Sequence, residues 1–362
     1  MVIKAPQLKK ILKNPIKAAE LANLVYITEK RLTIKRHRHG KGFYYTEADK
    51  KIKTKKDIKR FQSLVIPPAW EEVLITPVLN GHLQVVGRDE KNRKQYRYHP
   101  HWNQIRNMTK FFKMAAFGNV LPEIRKQVGL DLKLGKMTKR KCLALVVRLM
   151  EETHIRIGND YYARNNKSYG LSTLRTKHVA IHKNKMKFNF VGKKGKAHSI
   201  TVQNKKLQKL VMQCEEIPGW ELFQYYDEDG DHHRIDSGMV NDYIHEISGD
   251  LFSAKDFRTW AASKIFFETL AVLEKPETET QKKKNIITAY DAAAEGLGNT
   301  RTVCRKYYVH PALVENYEAG KLDPFFDEMN AKDIGTEYMS NSEMVLLKII
   351  AGFEIDFEAS ED

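Results

Sequence analysis

HVAIHKNKMKFNFVGKKGKAHSITV, residues His178–Val202, decides how the second part of this chain folds. Met186, Phe188 and Phe190 alternate with polar residues, the period of strands that bury one face. Tight turns join these strands, and GKKGK forms one tip. The period then changes. Leu207, Leu210, Val211 and Cys214 mark an amphipathic helix. Upstream, a helix opening near Thr138 carries Leu143, Val146, Val147 and Met150 at i, i+3, i+4, i+7 spacing. These readings give a mainly helical body that carries a hairpin sheet.

The first hundred residues read differently. LTIKRHRHGKGFYYTE, residues Leu32–Glu47, alternates apolar and polar around a Gly-Lys-Gly turn at Gly40–Gly42. In VIPPAWEEVLITPVLNGHLQVVGRDEKNRKQYRYHP, Val65–Pro100, Asn80-Gly81 is a hairpin signal between two strand-like runs. Helical signatures take over from about Trp102. The expected fold class is therefore α+β, with a small N-terminal mostly-β domain over residues 1–101 and a larger mainly helical domain over 102–362.

Further along, Ser253 is a candidate N-cap for the helix AKDFRTWAASKIFFETLAVL. EKPETETQKKKN, Glu274–Asn285, has no apolar period and reads as a charged linker. The tail EIDFEASED reads as acidic and frayed. No internal repeat is present.

Composition narrows the function classes. The 362 residues carry a formal net charge of +17, with 42% hydrophobic and 30% charged residues. That balance belongs to an ordinary globular chain, and the surplus of cations points to a polyanionic partner, most often nucleic acid. The three cysteines, Cys142, Cys214 and Cys304, are odd in number and form no CxxC pair, which excludes a disulfide scaffold and suits a reducing compartment. No apolar run reaches membrane-spanning length, and MVIKAPQLKKILKNPIKAAE lacks the apolar block and cleavage site of a signal peptide. The expected location is cytoplasmic. No Walker A motif occurs, and the GxG fragments lack a strand-turn-helix context, so neither ATP nor NAD is implied. DEDGDHH, Asp227–His233, gathers carboxylates and histidines, but its spacing fits neither an EF-hand nor a zinc site. It reads as an acidic turn after the strand ELFQYY, and no metal site is expected.

GNTRTVCRKYYVHPALVENY, Gly298–Tyr317, sets Tyr307 beside Tyr308 in a basic segment. The pair could pack a core, stack on bases, or include a nucleophile. Phosphate-ester chemistry without a metal needs three parts: a nucleophile, fixed positive donors for the non-bridging oxygens, and an acid for the leaving oxygen. A phenol can serve as the first, and arginine, whose planar fork keeps its charge, suits the second.

Four segments carry a resemblance. ETHIRIGNDYYARNNKSYGLSTLRTKHV, FNFVGKKGKAH, FSAKDFRTWAAS and GNTRTVCRKYYVHP occur in the order and spacing found in type IB DNA topoisomerases, in the compact bacterial and poxvirus-like form. The upstream block IPPAWEEVLI to RKQYRYHP is similar to that family's N-terminal domain, so the likeness spans most of the chain. It implies a tyrosine recombinase/topoisomerase IB-like catalytic domain, double-stranded DNA as partner, a nucleoid-associated monomer and no cofactor. It further implies that Arg156 and Arg258 bind the scissile phosphate and that Lys193, in the Val-Gly-Lys register, protonates the departing 5′ oxygen. Lys194 and Lys196 would position phosphate.

The same resemblance settles the tyrosine pair. In the family a phosphate-contacting His or Asn follows a glycine and stands nine residues ahead of the nucleophile. Gly298-Asn299 precedes Tyr308 in that way, making Tyr308 the expected nucleophile and Asn299 a neutral contact. Arg93, Gln95, Tyr96 and Tyr98 in RKQYRYHP, and Tyr162 in NDYYAR, match DNA contacts. Lys255 stands where tyrosine recombinases place the His of an HxxR box, which favours the topoisomerase over a recombinase. A non-catalytic basic DNA-binding protein, the remaining alternative, would lack a catalytic group, and none is missing.

Overall fold

The computed structural model describes residues 14–331 and 334–353; the acidic tail and residues 1–13 lie outside them. The chain forms two compact units, divided after Lys110 within the helix Pro100–Asp131. The fold class is the expected one, a β-rich N-terminal region followed by a mainly helical core.

In the N-terminal unit six strands form one sheet. They are β1 (Ile34–His39), β2 (Gly42–Glu47), β3 (Lys50–Lys51), β4 (Glu71–Ile75), β5 (Leu83–Arg88) and β6 (Lys94–Tyr98), in the order β3-β2-β1-β4-β5-β6. The register His39↔Gly42 closes β1 and β2 through the Gly40-Lys41 turn that the glycines announced. Period-two alternation, broken on β5 by a register shift between Leu83 and Val85, covers both faces of this sheet. Ile34, Tyr45, Val73, Ile75 and Val85 pack with Phe61 from the helix Lys55–Ser63, while Leu83 and Val86 pack with Ile27 and Leu32 on the other.

β4 and β5 pair as antiparallel neighbours, but Asn80-Gly81 is not the two-residue turn expected. It lies in a longer loop whose backbone is taken up elsewhere. Val25 N–H donates to the Asn80 carbonyl at 2.9 Å, and the buried Gln84 amide donates to the Leu79 and Gly81 carbonyls at 2.9 and 2.7 Å. Backbone groups satisfied by a neighbouring segment and a buried amide need no tight turn.

In the second unit the helix Lys139–Thr153 is capped by Thr138, which accepts from Lys141 N–H at 3.3 Å. Its burial extends beyond the expected stripe to Cys142, Ala144, Leu145 and Leu149, so this helix runs through the core. β7 (Val179–His182), β8 (Lys185–Val191) and β9 (Ala197–Val202) form the three-stranded hairpin sheet. Met186, Phe188 and Phe190 are its buried face, and GKKGK joins β8 to β9.

Glu274–Asn285 is not all linker. The helix Glu279–Gly296, capped by Thr278, takes its second half. The polar residues there are used locally: Lys282 pairs with Glu279 at 2.6 Å. Asn285, buried, donates to the Glu274 carbonyl at 3.0 Å and the Tyr317 hydroxyl at 2.9 Å. Asp227–His233 is the expected turn. It joins β10 (Gln224–Tyr226) to β11 (His232–Arg234), and its His233–Asp227 pair at 2.6 Å closes the hairpin.

Candidate active site

Arg258 lies on the helix Ala254–Val272, whose first turn is fixed when Asp256 accepts from the Ser253 N–H at 2.8 Å. The residue is only 4% exposed, unusual enough for arginine to require an explanation. Two of its N–H groups are spent on helix ends. Nη1 donates to the His154 carbonyl, at the close of Lys139–Thr153, and Nη2 donates to the Leu297 carbonyl at 2.9 Å, at the close of Glu279–Gly296. Carbonyls at helix C-termini have no intrahelical partner and carry partial negative charge, so a cation there is favoured. Nε is buried with no hydrogen-bond partner among the described residues. Burial, and next the Arg156 cation, lowers the Arg258 pKa to about 10, while the Tyr308 phenol opposes the shift.

Arg156 follows the left-handed residue His154 that ends Lys139–Thr153. Leu171 N–H donates to its carbonyl at 2.9 Å and Ser172 N–H to that of Ile157 at 2.7 Å, which locks the turn in place. Arg156 Nη2 donates to Asn299 Oδ1. The Asn299 Nδ2, the donor end of that amide, is buried without a hydrogen bond; the thiol of Cys304 lies beside it. A buried N–H left unpaired costs roughly 1–3 kcal/mol unless something else accepts from it. Two such donors, on Arg258 and Asn299, stand at one site.

A cavity of about 420 Å³ opens here, walled by Arg156, Lys193, Lys196, His198, Arg258 and Gly298. Lys193 and Lys196 are exposed, and Lys196 Nζ donates to the Asn299 carbonyl at 3.5 Å. Lys194 stands at the tip of the turn with φ +64° and is not among the walls.

The tyrosines diverge. The Tyr308 ring is half-buried, with the Arg258 guanidinium 5.6 Å from its centroid. Tyr307, the last residue of the helix Arg301–Tyr307, is 40% exposed with the Lys306 ammonium over its ring. Ser263 Oγ donates to the Tyr308 carbonyl at 3.3 Å and accepts from His310 N–H at 2.9 Å, tying the tyrosine's backbone to the helix of Arg258.

The remaining expected DNA contacts are shared between the two units. In the N-terminal unit, alternation along β6 places Tyr96 and Tyr98 on one face, their rings stacked at 6.0 Å, and Gln95 on the other. Gln95 and Arg93 both donate to Asp89, at 2.9 and 2.6 Å, and the Arg93 hydrogen bond holds that carboxyl down at about 2. In the second unit Tyr162 is 46% exposed on the helix Asp160–Asn166.

Sequence reading missed His154, Ser263 and His198. Ser263 lies at the end of a recognised box, and His198 pairs across β8–β9 with Phe190. His198 closes the box FNFVGKKGKAH, but only the strand register shows that its ring meets Phe190.

Residues 99–331 match the family model described as Eukaryotic DNA topoisomerase I, catalytic core. That is well over half of the chain. The chain belongs to the type IB DNA topoisomerases. Residues 42–89 match the Bacterial DNA topoisomerase IB, N-terminal domain. Among relatives, the chain is similar to the DNA topoisomerase 1B of Acanthamoeba polyphaga mimivirus, at 34% identity over 76% of this chain and 84% of that protein. It is also similar to DNA topoisomerase 1B of Vaccinia virus (strain Copenhagen), at 24% identity over 76% and 82%. With DNA topoisomerase 1 of Drosophila melanogaster it shares 28% identity over 51% of this chain and 18% of that protein. As a type IB topoisomerase, the chain is an enzyme that acts on DNA. Among the described residues no helix is long and apolar enough to cross a membrane.

Proposed function

We propose that this topoisomerase relaxes positive and negative supercoils of duplex DNA through a 3′-phosphotyrosine intermediate at Tyr308, without ATP or a divalent metal. The observation that carries the reading is the pair of buried, unpartnered donors, Arg258 Nε and Asn299 Nδ2, beside a half-buried tyrosine. A phosphodiester oxygen is the acceptor whose charge and size suit them.

The Tyr308 phenolic oxygen attacks the phosphorus in line. The Oη–P bond forms as the P–O5′ bond breaks, and the phenolic proton leaves to water. Lys193 gives a proton to the departing 5′ oxygen. Arg156, Arg258 and Asn299 hold the non-bridging oxygens as charge builds, each donor contributing roughly 3 kcal/mol to the transition state. The new ester conserves the energy of the old one. After the free end swivels, the 5′-hydroxyl attacks in reverse, so supercoil strain alone drives relaxation.

Plasmid relaxation in EDTA without nucleotide tests this. Both signs of supercoil are expected to relax; an absolute requirement for Mg²⁺ or ATP would remove the reading.

A further inference from the structure

One wall of the cavity has no part in the chemistry above. His198, the second residue of β9, lies opposite Phe190, and the two rings stack at 5.0 Å and 12°. Its edge is held at two further points. A Cβ on Gly192 would lie 2.7 Å from its Cδ2 and Nε2, and a Cβ on Gly298 would lie 2.5 Å from its Cε1. Neither approach is open to any other residue without displacing the ring. Gly192 immediately precedes Lys193, and Gly298 immediately precedes Asn299. The imidazole therefore touches, through backbone, both the turn that carries the acid and the loop that carries the neutral phosphate contact.

Neither ring nitrogen has a hydrogen bond among the described residues. Burial, followed by the cations of Arg156, Lys196 and Arg258, lowers its pKa. What the ring supplies is shape.

We propose that His198 is a positioning residue for transesterification, a flat spacer that fixes the Lys193 turn and the Asn299 loop at one separation. This rests on the reading that Lys193 and Asn299 act on the scissile phosphate. Displacement of a reacting group by about 1 Å can cost on the order of a hundredfold in rate, so the spacer should be visible in kinetics and not in affinity.

The test measures single-turnover cleavage of a short duplex, with non-covalent binding measured separately in a Tyr308→Phe background. His198→Ala is expected to slow cleavage by about tenfold or more while Kd moves less than about twofold. A 5′-bridging phosphorothiolate, whose thiolate leaves without an acid, should recover much of that loss. His198→Phe, which keeps a flat ring, should stay within about threefold of the parent. Gly192→Ala should slow the parent yet add little to His198→Ala, since both act on one contact.

Three results would overturn the proposal: His198→Phe as slow as His198→Ala, His198→Ala at the parental rate, or full additivity with Gly192→Ala. Thermal melting accompanies each variant. If His198→Ala does not fold, His198→Phe slowed by much more than about threefold, or Gly192→Ala at the parental rate, overturns the proposal by itself. Covalent capture by the parent reports on Tyr308 itself, so failure of the spacer and failure of the underlying reading are distinguishable.

Discussion

Arg258 is held by carbonyls, and one of them belongs to a histidine with a titration of its own. Burial lowers the His154 pKa to about 4, with Arg258 and then Lys264 adding to the effect. Between that value and about 6.5, the unfolded chain binds a proton that the folded chain does not. Stability is therefore fully present above the unfolded pKa and falls as the pH drops toward 4, by up to roughly 3 kcal/mol from this group. Urea unfolding at pH 5 and pH 7.5 checks the slope. His154→Asn should flatten it, since asparagine tolerates the left-handed backbone here, φ 54°, and leaves the carbonyl to Arg258. An unchanged slope would mean that the imidazole is not the titrating group. Residues of this kind were invisible in the sequence. Arg156, Lys193, Arg258, Asn299 and Tyr308 are named by four ordered boxes, but nothing in ETHIRIGN marks the histidine as shielded from water.

At the scale of elements, the helix bearing Arg258 is braced from the C-terminal side. Glu343, 3% exposed on the helix Asn341–Ala351, accepts from Trp260 Nε1 at 2.9 Å and from Arg125 Nη1 and Nη2 at 2.9 and 2.7 Å. Burial alone would push the Glu343 carboxyl up, but the Arg125 hydrogen bond and charge overcome it and hold the group at about 2. Trp260 is two residues from Arg258, roughly 200° around the same helix, so the acid anchors the side of that helix turned away from the arginine. Glu343→Gln keeps the volume and removes the charge from a buried pair. It should destabilise the protein by roughly 3–5 kcal/mol in urea unfolding, whereas a loss below about 1 kcal/mol would assign the network a surface-like role. The hairpin sheet was legible because period-two alternation has few competing explanations. The helix Lys55–Ser63 was not, since KKDIKRFQS offers little beyond Ile58 and Phe61 to show a 3.6 period. Glu279–Asn285 was hidden likewise, because its helix is held by a cap and polar contacts on a surface turn.

Over the whole chain, a net charge of +17 anticipates a polyanion without naming it. The family assignment makes that polyanion DNA, and the two buried donors would receive one of its phosphates beside Tyr308. Neutralising many phosphates releases counterions, so raised salt should weaken DNA capture steeply. The most direct measurement uses duplex DNA labelled on the strand 5′ of the cleavage site, incubated in EDTA and quenched in detergent. Attack by Tyr308 predicts protein bonded to the 3′ end of the cleaved strand, with proteolysis and mass spectrometry mapping the bond to that residue. It further predicts full loss in Tyr308→Phe and retention in Tyr307→Phe. Absence of a covalent species, or a bond at Tyr307 or any other residue, would contradict it.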